Sequence, residues 1–357
     1  MARIVYGVSG EGSGHSSRAR EVLTHLESRG HEIRVATYDR GVRNLAADFD
    51  VFPIEGLEIK SADNRVDVVG TFTENLKKLP DGWLSARDLK RELFKRFTPD
   101  VVLTDFEPMT AYLAHKESVP LVSIDNQHRM RYLKLDGPSG MDAERRLTKS
   151  IIRMMVPRPD LALVTTFVDG PTKNDRTFTF PPILRRAVLG LEPMQANNDA
   201  PILVYLTKGF DALLAMLPSL ADERFLVYGT PRDETIGNQC FRPPSSDGFL
   251  ADLASSKAVI STAGFTLMTE ALHLAKPLLA LPMRGQYEQE LNAFLLDRSG
   301  YGRGVRRPTR DDLVSFLGQI PELTQRLEAY PRADNSRLFA FLDEMFADGG
   351  VRLPRSG

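Results

Sequence analysis

The sequence predicts an α/β protein of two domains, each built on a parallel sheet, and three observations carry that expectation. Short apolar runs recur along the chain, among them Arg3 to Val8, Asp100 to Thr104, Leu121 to Ile124, Leu161 to Thr165, Ile202 to Leu206, Phe225 to Tyr228, Ala258 to Ile260 and Leu278 to Leu281. Unbroken runs of this kind mark strands covered on both faces, and the amphipathic segments between them supply the crossover helices. All periodicity breaks at Pro181-Pro182 and again across Glu192 to Pro201, which divides the chain into residues 1–185, a linker 186–200, residues 201–330 and a closing segment 331–357. At 357 residues and 42% hydrophobic, the chain is long enough to bury two cores.

Composition excludes several partners. The formal net charge of -1 gives no basic footprint, so nucleic acid is not expected. Cys240 stands alone, so no intrachain disulfide can form, and Met1-Ala-Arg leads straight into a strand rather than a signal peptide; the expected compartment is the cytoplasm. No apolar stretch approaches the roughly 18 to 20 residues of a membrane-spanning helix. Residues 129–158 are locally basic, with eight basic residues against three acidic, and Leu147, Ile151, Ile152, Met154 and Met155 interleave apolar side chains. That mixture suits peripheral contact with an anionic leaflet, or a solvated helix whose apolar face is core.

One stretch organises the rest. Ser261 to Ala293 reads as a strand end, a tight Ser-Thr-Ala-Gly turn, a helix with Leu267, Ala271 and Leu274, a second strand ending at Pro282, and a polar loop before another helix. The first amides of a helix have no internal partner and carry part of a positive charge, so Thr262, Ala263, Gly264, Phe265 and Thr266 form a candidate phosphate turn. Glu270 lies one to two turns further on, and Glu288 and Gln289 open the second polar loop.

These residues resemble the sugar-nucleotide signature of the GT-B glycosyltransferases, especially the MurG-like and UDP-glycosyltransferase branches: a small turn with Gly264, Glu270 six residues on, the Pro282-ended strand, then Glu288-Gln289 and Asn292-Ala293. The resemblance implies two Rossmann-like domains facing a cleft, with the nucleotide-sugar in the second, the acceptor in the first, and a last helix returning to the first domain. It assigns Glu270 to ribose hydroxyls and Glu288 with Gln289 to the transferred sugar. Phe241 and Arg242 would border the base, and Lys208 the phosphate. Many relatives carry His or Arg where this chain has Thr262, so the contact to the diphosphate must come from elsewhere.

The first half is similar in its own way. Arg3 to Val8 runs into Gly7-Val-Ser-Gly-Glu-Gly-Ser-Gly14, whose glycines in no register spell G-x-G-x-x-G, so the nicotinamide fingerprint fails on spacing. The loop resembles the first loop of GT-B enzymes, in which Gly12, Ser13 and Gly14 would admit an acceptor or phosphate and His15 would be the general base. Contact with phosphate and simple helix capping are the other readings of His15. Asp105 would orient that histidine, or cap the next helix. Gln127 and His128 follow the next strand end and point at the same cleft, which makes His128 a second candidate base. The segment from Val51 to Trp83 would shape the acceptor pocket.

The expected activity is therefore an inverting, metal-independent glycosyltransferase, hexosyl or N-acetylhexosaminyl, without cofactor, moving a sugar from a UDP-sugar to a hydroxyl acceptor. A lipid-linked or cell-envelope glycoconjugate would suit the basic segment. The alternatives are a GT-B protein that transfers nothing, either a sugar-nucleotide 2-epimerase or an inactive partner subunit.

Overall fold

The computed structural model describes residues 1–56, 61–62, 65–66, 87–192, 198–206, 210–243, 246–347 and 350–354. Lys208 and most of the segment between Val51 and Trp83 lie outside them. The first half contributes β1 (Arg3–Val8), β2 (Glu32–Thr37), β3 (Val51–Pro53), a minimal antiparallel pair β4 (Ser61–Ala62) and β5 (Arg65–Val66), then β6 (Val101–Asp105), β7 (Leu121–Asp125), β8 (Leu161–Thr165) and β9 (Thr177–Phe180). Seven of these form one sheet in the order 3-2-1-6-7-8-9, every pairing parallel. The second half contributes β10 (Ile202–Tyr205), β11 (Phe225–Tyr228), β12 (Glu234–Ile236), β13 (Gln239–Phe241), β14 (Ala258–Thr262), β15 (Leu278–Leu281) and β16 (Gly302–Gly304). They form a second sheet in the order 12-13-11-10-14-15-16, parallel except where β12 closes the edge against β13. This is the two-domain α/β architecture the sequence predicts.

Alternation along the strands builds two-sided cores. In β1, Ile4, Tyr6 and Val8 pack with Leu23 and Leu26 of the helix Gly14–Ser28, while Val5 faces Ala36, Phe97 and Ala111 on the other side. A third cluster joins the halves: Met130, Met141, Ile152 and Phe167 of the first pack with Phe265, Tyr287 and Leu291 of the second.

The chain then crosses back. Leu338, Leu342 and Met345 of the helix Ser336–Met345 lie in the core of the first sheet. Phe339 stacks on His25 at 4.2 Å between centroids, and Asp343 takes His25 at 2.8 Å and Arg29 at 2.7 Å. Asn335, just ahead of that helix, holds both backbone groups of Leu184, accepting from its N–H at 2.9 Å and donating to its carbonyl at 2.8 Å.

Local readings fail where tertiary packing overrides propensity. Asp311 to Leu317 and Glu322 to Tyr330 read as two helices, but one helix spans Arg310–Glu328 with Pro321 inside it. Its buried stripe of Leu313, Phe316, Ile320, Leu323 and Leu327 runs through the proline without a break, and burial outweighs the one backbone bond a proline removes. The edge strands β3 and β16 escape the sequence reading because three residues leave too short a pattern, and β9, Thr-Phe-Thr-Phe, because its threonines interrupt the apolar run.

Asn335→Ala should cost about 1–3 kcal/mol of stability, since a backbone donor and acceptor at Leu184 lose their partners in the interior. An unchanged midpoint in urea unfolding would show that this tie contributes nothing.

Candidate active site

The carboxyl ends of both sheets face one another. His15 is the second residue of the helix that follows β1, and Asp105 is the last residue of the neighbouring β6. His15 Nδ1 lies 2.7 Å from Asp105 Oδ1, and the carboxylate is fully buried. A carboxylate only accepts, so Nδ1 carries the proton and the lone pair sits on Nε2. Arg18, one helical turn on, donates to the same Oδ1 at 2.8 Å. Its 3.1 Å approach to His15 Nδ1 is proximity alone, because both nitrogens bear hydrogen. Burial pushes the Asp105 carboxyl up, but the Arg18 guanidinium and His15 outweigh it and hold the group below its ordinary range. Asp105 does not cap the following helix: Glu107 does, accepting from the N–H groups of Met109 and Thr110 at 2.7 Å each. Between the two carboxylates Phe106 sits at φ 60, a left-handed conformation that a bulky side chain rarely adopts.

A second histidine–aspartate pair follows β7. His128 Nδ1 meets Asp125 Oδ2 at 2.7 Å, and its backbone N–H meets Oδ1 at 2.8 Å. Its ring is wholly buried and stacked on Tyr132, whereas the His15 side chain is 14% exposed. His15 is therefore the more accessible of the two.

In the second half, Thr262 ends β14, Ala263 follows, and Gly264 is the N-cap of the helix Phe265–His273, with no side chain capping its first amides. Gly264 has an ordinary φ, and a Cβ added to it would meet nothing within 4 Å. Neither backbone strain nor a neighbour in the protein therefore calls for glycine there. Across the gap, a Cβ on Gly14 would come within 2.6 Å of Thr266 Oγ1, so the two helix starts nearly touch. Gly12 takes φ 72 in the loop ahead of Ser13, which is the N-cap of the first helix.

The carboxylates expected to face a sugar are engaged by the first half. Glu270 is 1% exposed and takes a two-pronged pair from Arg185, Nε at 2.6 Å and Nη2 at 2.7 Å. Glu288 accepts from Asn126 at 2.7 Å and from Gln127 at 3.4 Å. Gln289 instead braces its own loop, accepting from the N–H of Met283 at 3.0 Å. Phe241 is 3% exposed and lies in the core of the second sheet, while Arg242 is exposed and 3.6 Å from Asp252.

A cavity of about 570 Å³ is lined from both halves, by Met141 and Glu144 of the first and by Arg284, Glu290 and Arg306 of the second, and includes none of the site residues named above. Among the described residues no cluster of three or more His, Cys, Asp or Glu could hold a metal ion. Asp48 and Asp50 are spaced like metal-binding carboxylates, but they pair with Arg20 and Arg34 at the far, amino-terminal end of β3.

Sequence reasoning missed Arg18, Asn126 and Arg185. Arg18 had a signal, since its spacing from His15 puts both on one helix face; Arg185, far in sequence from Glu270, had none.

Replacing Asp105 by Asn would leave Arg18 buried without its counter-charge, a loss of about 3–5 kcal/mol. Because the folded carboxyl titrates low, its contribution is fully present above the unfolded value of about 3.9 and fades as pH falls through the lower, folded one. Urea unfolding at stepped pH should therefore show wild type losing stability below about pH 4 more steeply than Asp105→Asn. Parallel slopes would contradict this.

The comparisons with known proteins fit this geometry. Residues 2–321 match the family model for glycosyl transferase family 1. An uncharacterized glycosyltransferase of Methanosarcina acetivorans is 24% identical over 348 residues, covering 87% of this chain and 88% of the relative, and one of Methanosarcina mazei is 25% identical over 338 residues with the same coverage. Among solved structures, the glycosyltransferase of kitacinnamycin superposes with a TM-score of 0.68 at 16% identity, covering 96% of this chain and 98% of that one. The calicheamicin glycosyltransferase CalG4 gives 0.65 at 16% identity over 98% and 99%. SsfS6 of Streptomyces sp. SF2575, complexed with thymidine diphosphate, gives 0.61 at 16% identity over 96% and 100%. Two parallel sheets with facing carboxyl ends, and a family match across nearly the whole chain, make this protein a GT-B glycosyltransferase belonging to glycosyl transferase family 1.

Proposed function

We propose that the protein transfers a sugar from a UDP-sugar to an acceptor hydroxyl, with inversion and without a bound metal or cofactor. The observation that carries this reading is His15, with Nδ1 committed to Asp105 and Nε2 left as a lone pair, beside a helix start whose amides no side chain caps. The acceptor oxygen forms its bond to the anomeric carbon as the bond from that carbon to the diphosphate oxygen breaks. The bonding pair leaves on the diphosphate, and the acceptor proton passes to His15 Nε2. A positioned base of this kind contributes roughly 100- to 10,000-fold, and the amides of Phe265 and Thr266 receive the departing charge, that of Gly264 being given to the carbonyl of Thr262 at 2.7 Å.

Glu270 and Glu288 take donor hydroxyls in exchange for Arg185, Asn126 and Gln127. Ligand entry therefore goes with parting of the two halves around those contacts. Gly264 leaves room for the phosphate where a methyl group would stand.

His15→Ala should keep the affinity for UDP within a few-fold of wild type while turnover falls by roughly 100-fold or more. Surviving turnover would move the base to His128 or to the substrate itself. The nucleotide is tested by thermal shift with UDP-sugars and dTDP-sugars, since a ligand at 100 times its Kd stabilises by about 2.7 kcal/mol. Stabilisation by dTDP-sugars alone would replace the donor, and sugar release without any acceptor would point to the epimerase.

The acceptor, on this reading, is presented at an anionic membrane surface through the exposed face of the helix Asp142–Met155, within the basic residues 129–158. The helix Asp142–Met155 supports it: Leu147 and Met154 are 47% and 60% exposed, beside exposed Arg146 and Arg153. Sedimentation with vesicles containing anionic lipid should pull the protein down, and Arg146→Glu with Arg153→Glu should release it. Equal recovery with neutral vesicles would contradict the assignment.

A further inference from the structure

Arg129 is the largest fully buried side chain among the described residues. It opens the short helix Arg129–Tyr132 after β7 and reaches into the second half, where Nη2 donates to Asn292 Oδ1, and Asn292 in turn donates to the carbonyl of Ala263 at 2.8 Å. Its guanidinium lies 5.0 Å from the ring centre of Phe265 and 5.9 Å from that of Phe167. Nε and Nη1 meet no acceptor. Glu288, the acid whose charge acts on it, is held by Asn126 and Gln127 instead.

This arrangement is unfavourable twice over. A buried guanidinium with unmet donors loses its hydration without full compensation. It also sits beside the first residue of the helix Phe265–His273, and a helix start is already positive. Burial lowers the Arg129 pKa to about 10, so the group is still cationic at neutral pH. The turn Ser261 to Thr266 has no charged side chain of its own.

We propose that Arg129 supplies, from the acceptor half, the cation that grips the donor's diphosphate at the uncapped helix start after Gly264. One anion placed there satisfies the guanidinium and the first-turn amides together. It also ties occupancy of the second half to a residue carried by the first. The inference rests on the donor reading above and adds to it a residue that touches ligand from the opposite domain.

The test is calorimetric titration of wild type, Arg129→Met and Arg129→Lys with UDP and uridine, and with dTDP and thymidine. Arg129→Met should weaken the nucleoside diphosphate by about 10- to 100-fold, the range of a charge-assisted contact, and leave the nucleoside within about two-fold. Without ligand it should melt no lower than wild type, because an uncompensated buried charge has been removed. Equal diphosphate affinity in wild type and Arg129→Met overturns the proposal, as does a parallel loss for nucleoside and diphosphate. If Arg129→Met does not fold, Arg129→Lys is read by the same two ratios. Loss of the fold in both also overturns it, since the guanidinium would then be a strut of the fold itself. A wild type that binds neither UDP nor dTDP defeats the donor reading itself, a different outcome from either.

Discussion

The halves are held in register by two acidic side chains of the second half, Glu270 and Glu288, which accept hydrogen bonds from Arg185, Asn126 and Gln127 of the first. Glu270, 1% exposed, is tolerated there because it is paired with Arg185, and these contacts join the apolar cluster around Phe265 and Tyr287 in setting the distance between the sheets. The site depends on that distance. Gly14 can face Thr266 so closely only because neither the glycine nor the short threonine fills the gap. On the proposed reading, binding is an exchange: ligand hydroxyls replace protein donors on the same oxygens, so the net gain is smaller than the count of contacts suggests.

Asp105 imposes the second constraint. One oxygen serves both His15 and Arg18, and the other has no partner, so the carboxylate has no freedom to turn without abandoning one of them. Its position follows from the end of β6, and the chain leaves through the left-handed Phe106 to reach the Glu107 cap. Strain at that residue is sustained by the buried neighbours on either side of it. The imidazole is thus oriented by backbone geometry as much as by its hydrogen bond.

Much of this was legible in the sequence, for physical reasons. Strands covered on both faces leave unbroken apolar runs, which is why β1, β8, β11 and β15 are placed to the residue. Turns rich in Gly and Ser mark the strand ends where ligands gather. Pairings across long stretches of chain were not legible by spacing: His15 meets Asp105 through strand order, and Arg185 meets Glu270 through the packing of one half on the other. Phe241, expected from the resemblance to border the base, is packed in the core of the second sheet, because the neighbouring layer decides which face of a strand is covered. Arg129 read as one basic residue in a basic segment, and nothing local distinguishes it from Arg131 or Arg153.

The return of the chain to its starting half bears on how such proteins can be recombined. The first core is made of two separate pieces of sequence, residues up to about Phe180 and the helix Ser336–Met345, with the whole second sheet threaded between them. A hybrid spliced at one point in the linker would join a foreign closing helix to a native face, and Phe339 and Asp343 would find no His25 or Arg29 of matching shape. Swapping donor halves among relatives therefore needs two junctions, one on either side of the inserted sheet.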